Sequence, residues 1–175
     1  ERAELDIALS YDLHLPDGFS FTPLAGLAPF AMLAETDPLA KLPEVTLEEL
    51  AARDLILLDL PLSRDYFLSL FARAGLTPRV SARLQQMDVI RTMVANGFGY
   101  TIANIRPKSR HALDGRAVVR VPIAGDQQPL RLGLVRVARQ APTRLLRSFM
   151  EHCTREISDS HIPGMDALPA ETRPA

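Results

Sequence analysis

The residues of this chain best suited to chemistry are Ser63 and Arg64, which follow an apolar run and open a predicted helix. A hydroxyl, a guanidinium and the free amides of a helix start can together hold an anion. The amides point outward from the first turn, the helix dipole favours negative charge there, and a guanidinium grips a carboxylate through two parallel bonds. Asp88 opens the next predicted helix, where its carboxylate reads as a cap. Catalysis has no comparable basis. His14, His111, His152 and His161 show neither H-x-x-x-H nor H-x-x-E spacing, and Cys153, the single cysteine, has no partners arranged for zinc. Cys153 shares a helical stripe with Leu145, Leu146, Phe149, Met150 and Ile157, so it reads as a buried structural thiol. There is no G-x-S-x-G, and the G-x-G of NGFGYTIAN ends a helix rather than opening one, so it is no dinucleotide fingerprint. No enzyme activity and no cofactor are expected.

The elements that would position these groups are legible around them. Residues 87–104, MDVIRTMVANGFGYTIAN, place Val89, Ile90, Met93 and Val94 at helical spacing, stop at Asn96-Gly97, and continue into the short apolar run 100–103. Upstream, Thr46-Leu-Glu-Glu49 is a capping box with Val45 and Leu50 placed as a hydrophobic staple, so a helix starts at Leu47. Residues 55–58 form a continuous apolar run, the mark of a strand covered on both faces. Ser63 then caps a helix that Gly75 ends, and residues 79–84 supply the next strand. Strand, helix, strand, helix, strand within about fifty residues describes right-handed crossovers of a doubly wound lobe. Its predicted core joins Ile56, Leu58, Phe67, Leu70, Val80, Ile90, Val94 and Ile102. Ligands of such sheets bind beyond the carboxyl ends of the strands, here at residues 59–64, 85–88 and 104–106.

Composition narrows the function classes. With 175 residues, 47% hydrophobic and 6% aromatic without Trp, the chain can bury one aliphatic core or two small ones. Its apolar runs fall short of the ~20 residues that span a bilayer, and no basic, apolar leader is present, so no membrane partner is expected. One cysteine excludes an internal disulfide, and a cytoplasmic location follows as the default. A net charge of -1 argues against these residues gripping nucleic acid. Arg131, Arg136, Arg139, Arg144 and Arg147 cluster late in the sequence but read as solvated positions.

The stretch TDPLAKLPEVTLEELAARDLILLDLP, followed by SRDYFLSLFARAGLTPRV and DVIRTMVANGFGYTIANIRP, resembles the effector-binding domain of LysR-type bacterial transcriptional regulators. Glu4-Leu-Asp-Ile-Ala-Leu9 is similar to the family's LD-x-A-[LI] strand, and residues 114–123 and 130–138 to its returning strands. Asp37 stands where His is usual and Asn104 where Pro is frequent. The resemblance covers roughly residues 4–155 and lies in the order and spacing of motifs.

It implies an α/β fold of the periplasmic-binding-protein-like (type II) bilobal class, with one lobe complete and the other partial in an amino-terminally truncated chain. Residues 1–36 would be partial lobe one and a crossover, 37–105 lobe two as a βαβαβ unit, 106–157 the return to lobe one, and 158–175 a disordered tail. Lobe one would then expose an apolar edge around Ile7 and Leu9. The implied function is effector sensing for a DNA-binding regulator that self-associates as a homodimer or tetramer and meets DNA only through an absent amino-terminal domain. The alternative is a periplasmic solute-binding protein of a transporter. The resemblance also implies a ligand between the lobes, near Thr22 and the Pro61-Leu62-Ser63 segment. With the strand-end loops, the expected site comprises Thr22, Pro61, Leu62, Ser63, Arg64, Met87, Asp88 and Asn104, and its ligand is a small organic anion.

Overall fold

Residues 5–166 are described by a computed structural model. Contacts divide the chain into two units. Unit one comprises Glu1–Leu27, Ile105–Lys108 and Pro129–Ala175; unit two comprises Ala28–Asn104 and Ser109–Gln128.

Unit two grows from the apolar runs read above. The strands are β3 (Phe30–Ala34), β4 (Asp54–Leu58), β5 (Arg79–Leu84), β6 (Thr101–Ala103) and β7 (Val118–Pro122), with α1 (Leu47–Ala51), α2 (Pro61–Arg73) and α3 (Met87–Ala95) between them. β4 and β5 pair in parallel, a parallel bridge joins Leu55 to Tyr100 at the start of β6, and β3 lies antiparallel between β6 and β7. The order is therefore β5-β4-β6-β3-β7. β4 leads through α2 to one side and β6 lies on the other, so right-handed crossovers put α2 and α3 on opposite faces. Residues 55–58 are accordingly buried throughout, while β5 at the edge alternates between half-buried and exposed. Of the predicted core, Val80 on that edge is only half-buried; Ile56, Leu58, Phe67, Leu70, Ile90, Val94 and Ile102 are buried.

Local chemistry sets the boundaries. Thr46 Oγ1 accepts the Glu49 amide (3.2 Å) and Glu49 accepts the Thr46 amide (2.8 Å), completing the capping box. α2 ends with the Leu76 amide on the Phe71 carbonyl and the Gly75 amide on that of Ala72, and α3 ends in the same paired pattern around Asn96 and Gly97. Its starts differ from the sequence expectation. Ser63 is not a cap: α2 begins at Pro61, whose fixed φ suits the first helical position, leaving Ser63 inside the first turn. Asp88 is not a cap either, because α3 begins at Met87 after Gln86 and no side chain caps it.

The expected lobe boundaries also change. β3 and β7 belong to unit two, because β3 hydrogen-bonds to both β6 and β7. Only Ile105–Lys108 visits unit one before the chain re-enters unit two. Arg91, a buried arginine on α3, fastens the re-entry by donating from Nη2 to the carbonyls of Ser109 (2.8 Å) and His111 (2.9 Å).

Unit one contains β1 (Ala8–Tyr11), β2 (Phe19–Leu27), β8 (Leu130–Val137) and α4 (Arg144–Glu156). Its sheet is antiparallel with β8 central, so β1 and β2 are edges. Pro23 is accommodated in edge strand β2, where the register shifts between Pro23 and Ala25. Leu9 is exposed and Ile7 half-buried. On α4, Cys153 is buried as expected, whereas Leu145 and Phe149 of the same stripe are exposed. The tail expectation does not hold for residues 158–166. Ser158 bridges to His161, Asp159 accepts a bond from Gly26, and Met165 bridges to Pro107. Residues 167–175 lie outside the described residues.

Candidate functional site

Three parallel strands of unit two end on one edge, and seven of the eight expected site residues stand there. Pro61, Leu62, Ser63 and Arg64 form the first turn of α2 after β4, Met87 and Asp88 open α3 after β5, and Asn104 follows β6 directly. The crevice between β4 and β6 is where the chain's direction across the sheet reverses, the place at which open parallel sheets bind ligands. Thr22 belongs to unit one, where it is half-buried in β2 opposite Leu134.

The first turn of α2 offers few donors, and each has a definite state. Pro61 has no N–H, and the Arg64 amide already bonds the Leu60 carbonyl at 2.8 Å. The amides of Leu62 and Ser63 have no acceptor within the helix and carry its positive dipole end. Asn104 adds a group of another kind. It is buried, and its Nδ2 has no hydrogen-bond partner. An unpaired amide donor held out of water costs on the order of 1–3 kcal/mol, so a site that retains one is suited to an acceptor that arrives from outside.

Charge at this edge is more balanced than Arg64 alone suggests. Arg64 donates from Nε to Asp65 (2.9 Å) and from Nη1 to Asp59 (3.3 Å), while Arg83 Nη1 lies 4.0 Å from the same Asp59 oxygen. The Arg64 pKa is raised, chiefly by its hydrogen bond to Asp65, then by the Asp65 charge and the bond to Asp59. Its guanidinium has five N–H groups, so these two bonds leave further donors for a ligand. Asp59 and Arg83 were not among the expected site residues. Asp59 stands five residues before Arg64 across a strand-to-helix turn, a separation with no fixed periodicity from which a contact could be read.

Among the described residues, no group of three His, Cys, Asp or Glu side chains could hold a metal ion, and no helix is long and apolar enough to cross a membrane.

The sequence matches the family model for the LysR substrate binding domain over residues 1–158, and the chain belongs to that family. Its fold is the type II periplasmic-binding-protein-like α/β class. Two similar solved structures are HinK, a LysR family transcriptional regulator from Pseudomonas aeruginosa, and the C-terminal domain of a probable LysR family regulator from Rhodococcus sp. RHA1. HinK is 32% identical, with a TM-score of 0.85 over 89% of this chain and 54% of its own length. The Rhodococcus domain is 30% identical, with a TM-score of 0.82 over 87% of this chain and 75% of its own. The effector binding domain of QuiR in complex with shikimate, at 20% identity, shares the fold with a TM-score of 0.74 over 87% of this chain and 71% of its own. The chain thus spans about half the length of HinK. No curated protein matches it.

Proposed function

We propose that this chain is the effector-sensing part of a LysR-type transcriptional regulator, and that its effector is a small organic anion held at the carboxyl edge of β4 and β6. The buried, unpartnered Asn104 Nδ2 carries this placement. An anionic oxygen there would gain that donor, the Leu62 and Ser63 amides, and remaining N–H groups of Arg64, with Met87 and Asp88 bordering the site. Thr22, which the family resemblance adds to the expected residues, belongs to unit one and is not part of this edge. Shikimate, the ligand of QuiR, is a hydroxylated carboxylate and an apt first probe. In this reading the protein is a cytoplasmic regulator rather than an enzyme or a transport protein. It self-associates, and DNA is bound by a part of the protein outside these 175 residues, whose net charge of -1 gives no counterion-release footprint.

Calorimetry against a panel of carboxylates, begun with shikimate, tests the reading. For a carboxylate that binds, Arg64→Ala is expected to weaken affinity roughly tenfold or more, since bonds to charged groups contribute about 1.5–3 kcal/mol. Asn104→Asp, which replaces the donor with a carboxylate, should weaken it at least as much. Unchanged affinity in Ser63→Ala, Arg64→Ala and Asn104→Asp alike would refute the site, and a panel without any binder would refute the ligand class.

A further inference from the structure

Residues 158–166 touch the chain at the places where it passes between the two units. The carboxylate of Asp159 accepts the amide of Gly26 at 2.6 Å, one residue before β2 ends at Leu27 and unit two begins at Ala28. That point is doubly constrained, because a Cβ added at Gly26 would lie 3.3 Å from Pro129 Cβ, and Pro129 is the first residue after the chain's final return to unit one. Six residues after Asp159, Met165 forms an antiparallel bridge with Pro107, and the Asp166 amide donates to the Arg106 carbonyl at 2.9 Å. Arg106 and Pro107 lie in Ile105–Lys108, the short visit to unit one between two stretches of unit two. Between these anchors the segment is stiffened by the Ser158–His161 bridge and by the Met165 amide on the Ile162 carbonyl. The family match ends at residue 158, so almost all of this segment lies beyond it.

We propose that residues 158–166 are a strap that fastens both sets of inter-unit connections as one device, so that releasing either anchor loosens the other. The physical basis is the shortness of the segment. A charge-assisted bond at Asp159 and a backbone pairing at Met165–Asp166 are separated by few residues, with turns closed between them, so each anchor lowers the entropy cost of forming the other. A strap of this kind would set how freely the connections flex, whatever ligand the protein senses.

Hydrogen exchange on the full chain tests the coupling. Asp159→Ala removes the acceptor for Gly26 and is expected to speed exchange of the distant Asp166 amide roughly three- to tenfold, the effect of one hydrogen bond's net worth. Asp166→Pro removes the donor to Arg106 and should speed exchange of the Gly26 amide to a similar degree. Trypsin cleavage after Lys108 should accelerate in both variants, while the Ile56 and Leu57 amides in β4 keep their protection. Asp159→Asn keeps an acceptor oxygen without its charge and should fall between the parent and Asp159→Ala. If each substitution loosens only its own contact, or if neither changes cleavage after Lys108, the strap is overturned. Should Asp166→Pro unfold unit one, the contrast between Asp159→Ala and Asp159→Asn at the Asp166 amide decides alone.

Discussion

Replacing Ile90 by alanine is expected to destabilise unit two by about 2–5 kcal/mol, the range for truncating a large aliphatic side chain in a packed core. Ile90 has no exposure, and α3 packs against β3, β4, β5 and β7, so its side chain stands where parallel and antiparallel parts of the sheet share a helix. Val89, the preceding residue, is 44% exposed, and Val89→Ala should change stability by less than about 1 kcal/mol. Urea unfolding can be followed through tyrosine, since Tyr66 and Tyr100 are buried in unit two and the chain has no Trp. A lowered midpoint with an unchanged slope in Ile90→Ala alone is the expected result. Equal effects of the two substitutions would show that the helix is rotated from the face assigned to it.

The face of α3 was readable because helical periodicity is a local signal, and the same holds for the capping box at Thr46. Helix starts were less readable. Ser63 and Asp88 both have cap chemistry, but the preference of Pro61 for the first helical position moved one start upstream, and Gln86 rather than a capping side chain precedes the other. The grouping of β3 and β7 in unit two is not legible in the sequence for a different reason. Phe30–Ala34 pairs with Val118–Pro122 across more than eighty residues of sequence, and no local pattern records such a pairing. At the candidate site, the strand-end rule brings seven of the expected residues to one edge of the sheet, yet the ion pairs of Asp59 depend on a strand-to-helix turn for Arg64 and on the neighbouring strand β5 for Arg83. The role of buried Arg91 is not legible in the sequence, because an arginine on a helix reads as a solvent-facing residue until the carbonyls that receive it are placed.

The G-x-G before β6 gives the second large effect, because its two glycines are required for separable reasons. Gly97 has φ of 79° with open space around an added Cβ, so Gly97→Ala would incur only the left-handed backbone cost, about 1 kcal/mol. Gly99 has φ of 145°, and a Cβ there would collide with the Asp54 carbonyl oxygen. That carbonyl accepts the Tyr100 amide at 2.9 Å, and the Tyr100 carbonyl in turn accepts the Ile56 amide at 2.8 Å, so the approach of Gly99 to β4 is what lets β6 join the parallel strands. Tyr100 is itself fully buried, and burial pushes its hydroxyl pKa well up, so a shift of β6 would disturb a packed aromatic as well as the ladder. Gly99→Ala is therefore expected to cost about 3 kcal/mol or more, combining a forbidden backbone conformation with a backbone collision. Its urea midpoint should fall well below that of Gly97→Ala, with the Ile56 amide losing exchange protection first. If the two alanine variants are equally stable, the close approach of Gly99 to Asp54 is not what seats β6 beside β4.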